Sequence, residues 1–184
     1  MTRIVAGAAK GRRLIVPAKG TRPTSERARE ALFNSLRSLL DVEEARVLDL
    51  FAGSGAVGLE ALSRGAAAAT FVESDRGACD VLRRNIDAIG LPGATLIRRP
   101  AAAVLDGEPD APYALVFADP PYALSDADLE VLLRRLVERH WLAGDAVVIV
   151  ERSARGERLT WPDGVAPVMN RRYGEGQLWY GRPR

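Results

Sequence analysis

The chain has 184 residues, 47% hydrophobic and 27% charged with a net charge of +2, which is the size and chemistry of one globular domain. It is too apolar to stay disordered and long enough to bury a core without disulfide or metal staples. A single cysteine, Cys79, and a single histidine, His140, exclude internal disulfides, Cys-cluster zinc sites and multi-histidine centres, so no metal site is expected.

Residues 3–6 and 13–17 pattern as a hairpin around Ala8-Ala9-Lys10-Gly11. Lys10 cuts the opening well short of a signal-peptide core, and no apolar run approaches the roughly 18 residues of a membrane helix, so a soluble cytoplasmic protein is expected. Residues 1–40 hold nine Lys/Arg against Glu26 and Glu30, a balance of +7 that leaves −5 for the remainder. A basic front on a mildly acidic body suits a polyanion such as nucleic acid, although a solvated surface has the same composition. Lys10, Arg12, Arg13 and Arg22 are the candidate phosphate contacts.

A helix is predicted from Thr24 or Ser25, with Ala28, Ala31, Leu32, Leu36 and Leu39 on one face. Short apolar strands follow over 46–51, 69–73, 95–97, 114–118 and 146–150. Helices alternate with them: one from a glycine loop to Gly65, one over 75–89, and one from a capping box at Ser125 to about Arg139. The tail, over 165–173 and 177–180, patterns as an antiparallel hairpin about Gly174-Glu175-Gly176. Such alternation builds a parallel sheet covered on both faces, an α/β doubly wound fold with a basic N-terminal hairpin. Residues 1–23 are read as a nucleic-acid-binding extension and 24–184 as the enzyme domain.

Two motifs carry chemistry. Gly53-Ser54-Gly55-Ala56-Val57-Gly58 follows a strand and opens a helix, and Glu73 lies twenty residues after Gly53 at the next strand's end. There a carboxylate can grip two ribose hydroxyls, which makes nucleoside-cofactor binding the leading reading and a structural turn the other. Asp49, at the first strand's tip, would repel a dinucleotide's pyrophosphate but attract the ammonium and sulfonium of S-adenosylmethionine; it could also simply cap loop amides. The second motif, Asp119-Pro120-Pro121-Tyr122, ends another strand on the same edge of the sheet. An exocyclic base amine is a poor nucleophile, because its lone pair is delocalised into the ring. The Asp119 carboxylate and the Pro120 carbonyl can accept its N–H bonds and aim that lone pair, while Tyr122 stacks on an extruded base.

Weaker candidates remain. Cys79 sits at an inward helical position and reads as a buried small residue; His140 reads as a helix cap. Trp141, Trp161 and Trp179 could stack on bases or pack the core, and Glu151 could touch substrate or end a strand.

Taken together, these segments resemble the RsmD family, which methylates the exocyclic amine of one guanine in 16S ribosomal RNA. The resemblance spans nearly the whole chain. It rests on Arg3-Ile4-Val5-Ala6-Gly7 with Gly11-Arg12-Arg13-Leu14, Arg22-Pro23-Thr24-Ser25-Glu26-Arg27 with Glu30-Ala31-Leu32-Phe33-Asn34, residues 49–58, Val72-Glu73, Asp119-Pro120-Pro121-Tyr122 and Val150-Glu151. It implies a class I S-adenosylmethionine-dependent methyltransferase fold, Rossmann-like with an antiparallel C-terminal hairpin. It also implies S-adenosylmethionine as donor, and 16S rRNA as substrate in a small-subunit particle or assembly intermediate, with the enzyme acting as a monomer. By the same resemblance Gly53, Gly55 and Gly58 cradle the donor, Glu73 holds its ribose, Thr24 helps hold its methionine carboxylate, and Asp119, Pro120 and Tyr122 hold the target base. The chain departs from the family at Pro100, where an Asp or Asn commonly receives the donor's adenine amine.

The alternatives are a DNA or tRNA amino-methyltransferase, an NAD-dependent oxidoreductase, which would leave Asp119-Pro120-Pro121-Tyr122 without a purpose, and a non-enzymatic RNA-binding assembly protein. The basic hairpin is expected to be dispensable for donor binding.

Overall fold

The computed structural model describes residues 1–18 and 24–184; Arg22 lies outside the described residues. In chain order the elements are β1 (Thr2–Arg3), β2 (Arg13–Leu14), α1 (Glu26–Leu36), β3 (Arg46–Leu50), α2 (Ala56–Ser63), β4 (Ala68–Val72) and α3 (Arg76–Ile89). There follow β5 (Ala94–Ile97), α4 (Ala101–Leu105), β6 (Tyr113–Ala118), α5 (Asp126–Glu138), β7 (Leu142–Ser153), β8 (Val165–Tyr173) and β9 (Gly176–Pro183). Seven strands form one sheet in the order β5-β4-β3-β6-β7-β9-β8. Strands β3 to β7 are parallel, and β9 runs antiparallel between β7 and β8. The order reverses between β3 and β6, and ligands in such sheets bind outside the carboxyl ends of the strands at that switch.

Side chains that cap the helices fix where they begin. Ser25 Oγ accepts the Ala28 N–H at 3.1 Å, Asp75 Oδ2 that of Ala78 at 2.7 Å, and Ser125 Oγ that of Asp128 at 3.1 Å. One core lies between the sheet and α1, α2, α3, with Phe33, Leu59, Phe71 and Leu82 at its centre. A second lies between the sheet and α4, α5, built on Leu48, Val116, Leu133 and Val148. Helix α4, unforeseen in the sequence, covers this second face.

The hairpin departs from its expected extent. β1 and β2 are two residues each, because side chains of the main body take the backbone groups that a longer ladder would have paired. Glu60 accepts the N–H groups of Val5 at 2.9 Å and Ala6 at 3.0 Å. Ser63 Oγ accepts that of Ala9 at 2.9 Å, and Asn85 Oδ1 that of Ile15 at 2.8 Å. Ile4 and Leu14 enter the first core, so α2 has the sheet inside and the hairpin outside and is buried at all eight positions. Glu60, itself fully buried, pairs with the buried Arg29 at 3.8 Å and with Arg64 at 3.0 Å. Arg29 in turn donates to Thr2 Oγ1 at 3.2 Å and to the Arg3 carbonyl.

Among the described residues no helix is long and apolar enough to cross a membrane.

Removing one partner of a buried ion pair strands the other, at about 3–5 kcal/mol. Glu60→Ala should therefore lose about that much stability in urea titration, with amide exchange rising first in the hairpin; a loss under about 1 kcal/mol would show that the hairpin is held otherwise.

Candidate active site

A cavity of about 1120 Å³ opens at the carboxyl ends of β3, β4, β6 and β7. Its floor is the loop after β3. Phe51 and Gly53 both sit in the left-handed region, with φ of 59° and 56°, which a bulky Phe adopts only under constraint. The Gly53 N–H donates to Glu73 Oε2 at 2.9 Å and the Asp75 N–H to Glu73 Oε1 at 2.9 Å, so both carboxylate oxygens are oriented beside the loop.

The glycines divide their roles. Gly53 lines the cavity, whereas Gly55 and Gly58 do not. A Cβ on Gly55 would come within 2.1 Å of Leu82 Cδ1, and one on Gly58 within 2.3 Å of the Phe71 ring. Those two glycines let α2 lie close against the sheet and α3.

Asp49 reaches the cavity and also caps the loop: its Oδ2 accepts the Gly58 N–H at 3.0 Å. Burial pushes its carboxyl up to about 8, against the pull of that N–H and with help from Glu73's charge. The capping of the loop amide is thus observed, from a side chain that also faces the cavity.

Across the cavity, Asp119-Pro120-Pro121-Tyr122 leaves the end of β6. Pro120 is buried, while Tyr122 stands 75% exposed on the rim. Burial, then the charges of Glu151 and Asp49, push the Asp119 carboxyl well above the usual carboxylate range, with Arg152 opposing. Glu151 lies on the neighbouring strand, where Ala118 pairs with Val150, and its Oε2 accepts a hydrogen bond from Thr24 Oγ1 at 3.1 Å. Thr24, Asp49, Gly53, Glu73, Asp119, Pro120 and Tyr122 therefore share one cavity.

Several lining residues escaped the sequence reading: Arg27, Glu30 and Asn34 on α1, and Tyr173 to Gly176 at the β8–β9 turn. The helical and hairpin patterns were visible, but nothing local says which crevice such a face or turn overhangs. Val16 and Pro17 also line the cavity. The end of the N-terminal segment is therefore part of the cavity wall. Its basic residues lie elsewhere. Lys10, Arg12 and Arg13 are exposed, in and beside a turn fastened to Ser63 at the far end of α2, about 12 Å along the helix from the loop. Arg12 also donates to the Ile89 carbonyl at the end of α3, at 3.1 Å.

Cys79 is buried, with its thiol on the Glu73 carbonyl. Trp141 stacks on Tyr113, and Trp161 and Trp179 pack against the second core; none of the three lines the cavity. Pro100 begins α4 as its N-cap and also lies outside the lining.

The sheet order, the switch-point cavity and the antiparallel hairpin at the C-terminus define a class I methyltransferase fold. The family model described as "Conserved hypothetical protein 95" matches residues 2–182. The chain is 40% identical over 161 residues to "Ribosomal RNA small subunit methyltransferase D" of Escherichia coli strain K12, covering 87% of this chain and 79% of that protein. The Haemophilus influenzae protein of the same name is 36% identical, over 81% of this chain and 77% of its own length. Among solved structures, Escherichia coli yhhF superimposes with a TM-score of 0.87 at 34% identity, covering 99% of this chain and 97% of that one. A hypothetical protein of Thermus thermophilus gives 0.79 at 36%, covering 98% of each. This chain belongs to the RsmD family, as its sequence motifs implied.

The raised Asp49 carboxyl makes a stability prediction whose sign is fixed. A carboxyl near 8 in the fold and about 3.9 unfolded contributes stability fully below pH 4 and loses it as the pH rises to about 8. The Tm of the wild type should fall relative to Asp49→Asn across that window, by at most about 3–5 °C per pH unit. Parallel curves for the two proteins would place the Asp49 carboxylate in a polar setting.

Proposed function

We propose that this chain methylates the exocyclic amine of a guanine in 16S ribosomal RNA, with S-adenosylmethionine as donor. It would act in the cytoplasm as a monomer, on a small-subunit particle or assembly intermediate. The observation that carries this reading is that Asp119-Pro120-Pro121-Tyr122 faces the glycine loop, Asp49 and Glu73 across one cavity. Membership of the RsmD family, with relatives named as methyltransferases of small-subunit ribosomal RNA, supports the substrate.

The residues around the loop fit this donor. Asp49 and Glu73 flank the floor, and acids there suit an ammonium and a sulfonium while opposing a pyrophosphate. Glu73 would hold the ribose hydroxyls, Gly53 would admit the donor's close approach, and the backbone N–H groups at the start of α1, beside Thr24, would meet the methionine carboxylate. When bound, S-adenosylmethionine supplies a methyl group carried on a sulfonium.

The protein's own part is orientation and proton handling. The Asp119 carboxylate and the Pro120 carbonyl accept the amine's N–H bonds, which turns its lone pair toward the methyl group, and Tyr122 confines the extruded base to one plane. As the nitrogen gains a methyl it gives up a proton. Asp119 is placed to take it, and its raised carboxyl makes it a better base than an ordinary aspartate. Turnover should therefore decline as the pH falls through that raised value, because the carboxyl that accepts the proton is then already protonated.

Tritiated methyl transfer to undermodified 16S RNA and 30S particles, followed by nucleoside digestion, tests the reading. Label should appear in N2-methylguanosine; label in another nucleoside, or none, overturns it. Asp119→Ala should lower kcat by about 10²-fold or more while S-adenosylhomocysteine binds within a few-fold of wild type by calorimetry. Wild-type turnover in that variant would remove Asp119 from the chemistry.

The basic turn would meet phosphates away from the cavity. Replacing Lys10, Arg12 and Arg13 by Ala should weaken RNA binding and reduce its log–log salt slope by roughly 0.7–0.9 for each phosphate no longer neutralised, with donor affinity retained. An unchanged slope would make the turn a solvated surface.

A further inference from the structure

We propose that Glu151 reads the ring N1–H of the target guanine, so that Asp119 and Glu151 together select guanine over every other amine-bearing base. The inference rests on the function proposed above and concerns the same cavity.

The chemistry of the bases sets the problem. Adenine, cytosine and guanine each carry an exocyclic amine, and an Asp-Pro pair that holds an amine cannot tell them apart. The ring nitrogen beside that amine can. It is a hydrogen-bond acceptor in adenine and cytosine and a donor, N1–H, in guanine. A site for guanine therefore needs a second acceptor next to the one that holds the amine, and a site built that way leaves an acceptor facing a lone pair when the wrong base enters.

The structure sets a second acid beside Asp119 in the cavity. Asp119 follows Ala118 at the end of β6, and Glu151 follows Val150 on β7, and those two preceding residues are register partners. Glu151 lines the same cavity, and among neighbouring charges it acts most strongly on the Asp119 carboxyl. Its carboxylate is held rather than loose, since Oε2 accepts the Thr24 hydroxyl at 3.1 Å. The other oxygen, Oε1, lies 3.0 Å from where a Cβ on Gly176 would stand, so the β8–β9 turn packs against that side of the carboxylate and leaves room there only for glycine. An ionised carboxylate offers about four lone-pair sites, so it can serve several donors at once.

The test exchanges an acceptor for a donor. Glu151→Gln keeps the size of the side chain but offers an amide N–H. 2-Aminopurine keeps guanine's amine while its N1 is an acceptor. The substrate is 16S RNA splint-ligated with guanine or 2-aminopurine at the position that the wild type methylates, assembled into 30S particles. The measured quantity is the ratio of kcat/KM on the two RNAs. Both values come from one enzyme preparation, so any unfolded fraction cancels.

The wild type should favour guanine strongly. Glu151→Gln should shift the ratio toward 2-aminopurine by tenfold or more, through loss on guanine with gain or retention on 2-aminopurine. Glu151→Ala, which removes the acceptor without adding a donor, should narrow the ratio through loss on guanine alone. The missing O6 of 2-aminopurine is common to all three enzymes and drops out of the comparison. A ratio that is the same in wild type and both variants overturns the proposal and leaves Asp119 to read both the amine and N1–H. Failure of the wild type to methylate the guanine RNA at all would instead overturn the function proposed above.

Discussion

Glu60 ties the N-terminal segment to the rest of the molecule through one carboxylate. Its oxygens accept two consecutive hairpin N–H groups, Val5 and Ala6, and face two guanidinium groups, Arg29 and Arg64. Burying a charge is tolerable only when it is paired and hydrogen-bonded on every side, and here the partners come from the hairpin, α1 and α2. The anchored strand then continues past Leu14 to Ile15, whose N–H and carbonyl both meet the Asn85 amide. That amide also donates to the Ser54 carbonyl at 2.9 Å, inside the glycine loop. The hairpin, α3 and the cavity floor are thereby joined by one side chain. Val16 and Pro17 reach the cavity wall because of what precedes them.

The cavity gathers acids. Asp49, Glu73, Asp119 and Glu151 all line it, and the carboxyls of Asp49 and Asp119 are both pushed up by burial and by neighbouring acids. Such crowding destabilises the empty protein as carboxyls ionise, and a cation seated among them relieves it. A donor that bears two positive centres would gain affinity from the same repulsion that the fold tolerates without it. An anionic dinucleotide would compound the repulsion, which is the physical argument against the nicotinamide alternative.

Much of this was legible in the sequence because it is local. Alternation of apolar strands with capped helices gave the layers, and Ser25, Asp75 and Ser125 cap the helices where their side chains suggest. The strand ends carrying Asp49, Glu73 and Asp119 converge because every parallel strand of the sheet delivers its carboxyl end to one edge. What escaped was non-local or too short. Helix α4 has five residues, under two turns, and no periodicity can announce it. β7 extends over Leu142–Ser153, beyond the apolar run at 146–150, because β6 pairs with its start at Leu142 and β9 with its far half. β1 and β2 were shortened by Glu60 and Asn85, competitors 54 to 70 residues away. His140 holds its helix end with backbone rather than side chain: at φ 58° its own N–H meets the Val137 carbonyl.

The position of the three inner acids follows from two rules acting together. Side chains alternate between faces along a strand, so Val47, Phe117 and Ile149, all in the first core, set the parity of β3, β6 and β7. Asp49, Asp119 and Glu151 each stand two residues further on, hence on that same face, beneath α1. Parallel register then decides their heights. Asp49 is level with Phe117, whereas Ala118 is level with Val150, so Asp49 sits lower and Asp119 and Glu151 stand together above it. The deeper acid is within reach of the Gly58 N–H and is the more enclosed; the upper pair meets the cavity, Thr24 and the exposed Tyr122. A one-residue slip of β7 against β6 would carry residue 151 to the opposite face and replace that pair with Asp119 and an arginine, Arg152. The packing of Val147 and Ile149 in the first core, and of Val148 and Val150 in the second, holds the register against that slip. The placing of the acids at the top of the sheet is therefore set by valines and an isoleucine that do not line the cavity.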